Sequence, residues 1–158
     1  MRSYSGIANT AVSYSWDPVA RSAMMLVWII ADSGDPSTTL ANFLRARAVP
    51  GLAIRVKPAT AVVVPVFDIT IEAAPDRSPD VVRAAVRTAL FDPQTGFLSP
   101  RRIAISAPLF RSHLLAAIHA VPGVAAVRSI VTQTGEMPMA MKLEAGQWFD
   151  FLTNGHIL

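Results

Sequence analysis

The stretch that decides the fold is FRSHLLAAIHAVPGV, from Phe110 to Val124, which runs on through apolar residues to Ile130. It predicts an amphipathic helix, a Val-Pro-Gly stop and then a strand. The same phrase occurs earlier, from Phe43 to Leu52, and is followed by a second alternating apolar run. The repeated helix-to-strand unit indicates how the fold is built. No comparable pattern indicates a catalytic site.

Apolar runs and turn residues predict the elements of the first half of the chain. Met24 to Ile30 is continuously apolar, which is typical of a strand buried on both faces. Asp35-Pro36 favours a helix start, and that helix should end at Val49, because a following proline disfavours the helical conformation. Leu52 to Val56 alternates as a second strand, and Val62 to Ala73 predicts a long third strand.

The second half contains two further helix signals and two further strands. Ser78-Pro79 predicts the start of a second helix, and Ser106-Ala107-Pro108 predicts the start of the third, which runs to Val121. Between them, Phe91 to Arg102 is expected to be a loop. Finally, Val124 to Val131 predicts a fourth strand and Trp148 to Phe151 a short last one.

The order of these elements is β-α-β-β-α-α-β, followed by a tail. If one of the two late helices is an insertion, what remains is the split βαβ arrangement of ferredoxin-like folds. We therefore predict an α+β fold with a ferredoxin-like sheet, helices on one face, an extra helix, and extended N- and C-terminal arms. The expected single domain comprises an N-terminal arm or edge strand (1–21), an α+β core (22–132) and a C-terminal arm or short strand (133–158).

The composition indicates a large core with apolar surface left over. Of the 158 residues, 52% are apolar and 16% are charged, which is more apolar and less charged than soluble domains usually are. Such a surplus suits a protein that neighbours complete, although an alanine- and valine-rich chain with an ordinary surface would also show it. The net charge is +3, and the arginines are scattered along the chain. We therefore expect solvated faces and interface anchors, and no nucleic-acid partner.

Residues that could carry chemistry are few and dispersed. The chain has no cysteine, which excludes disulfides and thiolate sites. His113 and His119 lie about 120° apart around their predicted helix, and His156 lies in the tail, so no metal site is expected. Asp68 and Glu72 are separated by roughly 13 Å of strand, beyond the ~5–9.5 Å that paired carboxylates need in glycoside hydrolysis.

Sequence motifs for phosphate binding, dinucleotide binding and serine hydrolysis are absent from the chain. The longest apolar run, Ala23 to Ala31, is shorter than the about 20 residues of a membrane helix. The opening Met1-Arg2-Ser3-Tyr4 lacks the apolar core of a signal peptide. We therefore predict no catalytic residue, no cofactor, no metal and no membrane partner.

Several short sequence phrases, spread over most of the chain, are informative in their order and spacing. They begin with GIANTAVSYSWD (6–17), and Val49-Pro50-Gly51 then precedes VKPA (56–59) and the long strand. The late phrases are GFL (96–98), LFRS (109–112) and AGQWFD (145–150). In this order and spacing, the chain resembles the C-terminal part of the baseplate J-like proteins of contractile phage tails and related injection systems.

This resemblance implies a structural component of the baseplate wedge, without catalytic activity. It implies assembly with other baseplate and tail proteins around a six-fold axis, as a homo- or hetero-oligomer. It also implies synthesis in the bacterial cytoplasm and, after assembly, a place in the tail baseplate. Because the family has a larger N-terminal portion, we expect a fragment, a split gene product or a prophage remnant.

Large apolar side chains without an obvious core partner are the candidate contacts. The tail, with its alternating Met137, Met139 and Met141, is expected either to dock on a neighbour or to close the domain's own sheet. Two other functions stay open: a small oligomeric ligand-binding protein with a ferredoxin-like core, and an enzyme of unrecognised type. The predicted interface consists of Trp16, Val62, Val64, Val66, Met137, Met139, Trp148, Phe149 and Phe151.

Overall fold

A hairpin followed by a β-α-β unit forms the first part of the fold. The computed structural model describes residues 6–64 and 67–151. Strand β1 (Ile7–Asp17) pairs antiparallel with β2 (Ser22–Ala31), and helix α1 (Ser37–Arg45) leads to β3 (Ala53–Pro58), which pairs parallel with β2. The central position in this sheet therefore belongs to β2, the continuously apolar strand.

Strand β2 packs against a different apolar cluster on each face, as the sequence predicts. On one face, Val27 and Ile29 join Leu40 of α1 and Ile54 of β3 in a small buried cluster. On the other face, Ile30 belongs to the main core of the molecule. A strand that contributes to two clusters needs apolar residues at successive positions, which is the pattern from Met24 to Ile30.

A second unit consists of two helices between antiparallel strands. Strand β5 (Asp68–Ala73) pairs with β7 (Val124–Thr132), and helices α2 (Pro79–Phe91) and α3 (Arg111–His119) lie between them in sequence. The side chains of β5 alternate, because Ile69 is buried whereas Asp68, Thr70 and Glu72 are exposed. The exposed residues therefore form one polar face of β5.

Both Val-Pro-Gly phrases lie between a helix and a strand, as predicted, but each helix ends before the phrase, α1 at Arg45 and α3 at His119. Gly51 follows α1 with a φ of 89°, and Gly123 follows α3 with a φ of 94°. Positive φ values of this kind favour glycine, which explains why the same residue stands at both stops. The strands then differ, because β3 pairs parallel to β2 whereas β7 pairs antiparallel to β5.

The short strands connect distant parts of the chain. Strand β4 (Thr60–Val63) pairs parallel with β10 (Gln147–Asp150), and β6 (Leu109–Phe110) pairs antiparallel with β9 (Ala140–Met141). A further strand, β8 (Gly135–Glu136), pairs with β7. The single long strand predicted from Val62 to Ala73 is therefore wrong, because β4 and β5 belong to different sheets.

The fold class α+β is correct, but the ferredoxin-like arrangement is not confirmed. In a split βαβ unit another strand lies between the two strands that the helix connects. Here β2 and β3, which α1 connects, pair directly with each other. The described strands also form four small sheets rather than one, and helix α1 packs on the first sheet whereas α2 and α3 pack near the sheet of β5 and β7.

The helix boundaries are set by neighbouring backbone and side-chain groups. Helix α2 begins at Pro79 after Ser78, as predicted. At α1 the carboxylate of Asp35 accepts the N–H of Ser37 at 2.9 Å, so the helix begins just after the predicted cap and proline. Helix α3 begins only at Arg111, later than predicted, because Leu109 and Phe110 pair with β9. Helix α1 ends at Arg45, earlier than the predicted Val49.

Both terminal segments contribute strands to sheets of the same chain. Strand β1 lies beside β2, and β10 lies beside β4, so the tail closes a sheet within this molecule. In the main core Phe67 and Phe151 meet edge to face, with ring centroids 5.4 Å apart. The division into an N-terminal arm, a core and a C-terminal arm at 1–21, 22–132 and 133–158 stays a prediction.

Candidate interaction surface

The predicted interface residues fall into buried and exposed groups. Val62 is half-buried against the main core, and Trp16 and Met139 are 62% and 81% exposed. Val66 lies outside the described residues. The remaining predicted contacts are buried inside this chain: Val64, Met137, Trp148, Phe149 and Phe151.

Strand β10 is the reason why most of these residues are buried. It places Trp148 opposite Ala61 and Phe149 opposite Val62. The backbone carbonyl of Asp150 accepts the N–H of Val64 at 3.0 Å. The chain's own tail thus pairs with β4, which was one of the two alternatives from sequence, although Val63 of β4 is 45% exposed. We therefore keep only the exposed members, Trp16 and Met139, as described candidates for contacts with a neighbour.

An apolar strip lies along β1 on the face of the first sheet that also carries α1. Side chains two positions apart on a strand share a face, and Val12, Tyr14 and Trp16 are 55%, 76% and 62% exposed. Helix α1 covers β2 and β3 on this face, through Leu40. The β1 strip, as we name Val12, Tyr14 and Trp16, extends beyond this cover into solvent.

A cleft of about 540 Å³ continues the β1 strip at the β1–β2 turn. Its walls include Trp16, Val19, Met24 and Arg55. Val19 is 93% exposed, so an apolar side chain projects fully from the turn. Tryptophan and arginine are the residue types that most often dominate the binding energy of protein interfaces. The cleft and the strip together form a surface suited to contact with protein.

The carboxylate of Asp17 holds the β1–β2 turn in place. It accepts the N–H groups of Val19 at 2.9 Å and Ala20 at 3.0 Å, and its other oxygen accepts Arg55 at 3.1 Å. The hydrogen bonds from Ala20 and Val19, followed by the charge of Arg55, lower the pKa of Asp17 from its usual value. The same effect, through Thr95 and Gln94, lowers the pKa of Asp92 at the end of α2.

We expect acid to destabilise the protein partly through Asp17. A lowered folded-state pKa means that the contribution to stability is present above the unfolded value near 3.8 and is lost as the pH falls through the folded value. In urea unfolding at pH 7 and pH 3, Asp17→Asn should lose less stability on acidification than the natural chain. Tyr14→Phe, on the same strand, should behave like the natural chain. Equal losses for Asp17→Asn and the natural chain would contradict this role.

Arginine side chains contact carboxylates in several parts of the molecule. Arg101 reaches both oxygens of Asp32 at 2.9 Å, Arg111 lies 2.6 Å from Glu136, and Arg128 pairs with Glu72. These pairs lie on different elements and bring opposite charges together. Each of these three arginines is therefore balanced locally by a carboxylate.

Chemical sites are sparse in the described part of the chain. A cavity of about 160 Å³ is lined by apolar residues such as Leu98, Ile103 and Phe149, with His113 on its wall. Small-molecule pockets usually measure about 300–1,000 Å³, so this cavity is small for a ligand. Among residues 6–64 and 67–151, no group of three or more His, Asp or Glu side chains could hold a metal ion.

The longest of the described helices, α2, has 13 residues. Within residues 6–64 and 67–151, no helix is both long enough and apolar enough to cross a membrane.

Sequence reasoning found Trp16 but missed Val12, Tyr14, Val19 and Arg55 as members of this surface. The signal was present, because Val12, Tyr14 and Trp16 alternate with small or polar residues. Alternation of this kind predicts a strand with one apolar face. The pattern could not predict that α1 covers β2 and β3 but leaves β1 exposed.

The fold is shared with a chain of a prophage baseplate structure. No protein-family model matches the chain, and no curated protein matches it at a significant level. Among solved structures, the chain is similar to a chain in "Cryo-EM structure of the anti-feeding prophage (AFP) baseplate, 6-fold symmetrised", with a TM-score of 0.58 and 16% identity. This likeness establishes a common fold.

The two chains differ greatly in length. The likeness covers 93% of this chain but only 34% of the baseplate chain. The present chain thus spans about a third of the length of that protein. The shared fold therefore extends over nearly the whole of this chain.

Proposed function

We propose that this chain is a structural component of the baseplate of a phage or prophage contractile tail, corresponding to the C-terminal portion of a J-like wedge protein. The observation that carries the proposal is the fold shared over 93% of the chain with a prophage baseplate chain. The order of the sequence phrases, from GIANTAVSYSWD (6–17) to AGQWFD (145–150), supports the J-like member in particular.

The surface supports a role in assembly. The β1 strip and the cleft beside it offer apolar contacts at one site. Met139, which is 81% exposed, offers another beside β6, where its carbonyl accepts the N–H of Arg111 at 3.0 Å. A wedge component contacts several tail proteins at once, and separate apolar sites suit this requirement. We further propose that the chain assembles with other tail proteins in the virion tail.

We also propose that the protein has no catalytic activity. The cavity beside His113 is small and mostly apolar, whereas an active site needs convergent polar groups in a concave pocket. A structural role requires neither pocket nor polar cluster.

A pull-down from the native cells under prophage-inducing conditions tests the proposal. The tagged natural chain is purified, and the proteins that accompany it are identified by mass spectrometry. Recovery of tail tube, sheath or other wedge proteins is the expected result. Recovery of the well-expressed protein by itself would contradict the proposed assembly role.

Met139→Asp should weaken this assembly. A charge at an apolar contact remains desolvated and unpaired, so we expect recovery of the tail proteins to fall by about tenfold, equivalent to about 1.4 kcal/mol. Val81→Asp is the matched control, because Val81 is 67% exposed on α2, on a different element. Equal recovery with Met139→Asp and Val81→Asp would remove Met139 from the interface.

A further inference from the structure

The outer edge of β1 lacks a partner strand in the described part of the chain. Strand β1 lies at the end of its sheet and pairs only with β2. An edge strand presents a row of backbone N–H and C=O groups that can accept another strand. The β1 strip, with its exposed aromatic side chains, lies along the same edge.

This edge has few of the features that usually prevent strand addition. Natural edge strands are protected by charged residues, prolines, β-bulges or short length, and the irregularity of β1 lies at Ile7–Asn9, before the β1 strip. Strand β1 contains neither charge nor proline from Ile7 to Trp16, and its first charged residue, Asp17, is engaged by Arg55. A long, neutral edge with apolar side chains suggests a strand that is covered in the assembled protein.

We infer that β1 is a strand-addition site for a second copy of this chain, which pairs antiparallel through its own β1 about a two-fold axis at Tyr14. The inference is independent of the proposed tail function, because it depends only on the sequence and position of β1. The proposed partner is therefore the β1 strand of a second copy.

The sequence of β1 is complementary to itself in this register. With the axis at Tyr14, each Val12 lies opposite Trp16 of the second copy, and each Ser13 lies opposite Ser15. Aromatic pairs with β-branched residues and serine pairs both stabilise antiparallel strands, whereas like charges opposite each other destabilise them. Because β1 is neutral up to Asp17, the two-fold pairing brings no like charges into opposition.

The exposed area indicates a weak, concentration-dependent dimer. A fully buried aromatic side chain removes about 150–250 Å² from water, and the partly covered Tyr14 and Trp16 of two copies supply several hundred Å² together. Added to the backbone pairing, this places the contact in the class of small interfaces below about 1,200 Å². We therefore expect association in the micromolar range rather than an obligate dimer.

Sedimentation velocity of the natural chain over a range of micromolar concentrations tests the inference. The expected result is a monomer–dimer equilibrium. Tyr14→Lys, which would bring two like charges together at the axis, should raise the dimer Kd at least about tenfold. Val81→Lys is the control, because Val81 has a similar exposure on α2 and should leave the dimer unchanged. A chain that stays monomeric, or a dimer unaffected by Tyr14→Lys, would overturn the inference.

The register is tested separately with cysteines, since the natural chain has none. Ser13→Cys and Ser15→Cys proteins are mixed under mild oxidation. Pairing about Tyr14 predicts a mixed disulfide between the two variants, in excess of either homodisulfide, because directly opposite positions approach within disulfide range. Absence of this excess would contradict pairing between copies. The finding that only a different tail protein covers the β1 strip would contradict it as well.

Discussion

Phe151→Ala is expected to lower the free energy of unfolding by about 3–5 kcal/mol. The side chain of Phe151 is completely buried, and its ring contacts Phe67 edge to face at 5.4 Å and Phe149 at 5.9 Å. Truncation to alanine removes these ring contacts and leaves a cavity in the main core, which adjacent residues fill only in part.

Chemical unfolding in urea provides the measurement, and Phe43→Ala provides the matched control. Phe43 is 40% exposed on α1, so its truncation should cost only about 1 kcal/mol. If both substitutions had similar small effects, Phe151 would not be a core residue, and its sequence-based assignment to an interface with another protein would regain support. The comparison thus decides whether the tail stabilises this molecule or its neighbour.

Gly146→Ala is expected to destabilise the protein by about 3 kcal/mol or more, through two effects that add. Gly146 has a φ of 80°, and a Cβ atom there would lie 2.5–2.7 Å from three ring atoms of Trp28. The ring cannot withdraw freely, because Trp28 packs against the main core. The backbone of Gly146 is also fixed, since its N–H donates to Ser106 and its carbonyl accepts from Thr60.

Gly51→Ala separates the two effects. Gly51 has a similar φ of 89°, but no atom lies within 4 Å of the position of its Cβ. Its substitution should therefore cost only the backbone strain of about 1–2 kcal/mol. A thermal or urea unfolding series that finds equal losses at both positions would show that the contact with Trp28 contributes nothing.

Local signals in the sequence were sufficient to predict the presence of the three helices and of the strands β2, β3, β7 and β10. The two Val-Pro-Gly stops, the start of α2 at Pro79 and the continuous apolar run of β2 each depend on neighbours within a few residues. Such signals are encoded by proline geometry, glycine φ and side-chain period, which act over short distances. They predicted where elements lie but not which elements pair.

Pairing between distant segments could not be predicted in the same way. The sequence from Val62 to Ala73 suggested one strand, although Pro65 cannot donate to a ladder and so argues against a continuous central strand. The choice of β10 as the partner of β4 depends on contacts between segments far apart in sequence. The same limit explains why Val64, Trp148 and Phe151 were assigned to an interface.

The prediction of the candidate surface depended on residue type, whereas the prediction of the fold depended on local structural signals. Trp16 and Met139 were chosen because they are large, apolar and lacked an obvious partner, and the structure leaves both exposed. Burial depends on which strand lies alongside, so residue type alone could not separate Met139 from Met137, which is buried. The edge position of β1 decides the exposure of the β1 strip.

The parallel pairing of β4 with β10 has a consequence for synthesis on the ribosome. More than half of the chain separates the two strands, so in a nascent chain β4 lacks its partner strand until residues 147–151 have left the exit tunnel. Unpaired strands and exposed apolar surface make such intermediates prone to aggregation and bring them to chaperones. The main core can close only after residues 147–151 have emerged, because Trp148, Phe149 and Phe151 belong to it, so translation past β10 sets the earliest time at which this region can take part in assembly.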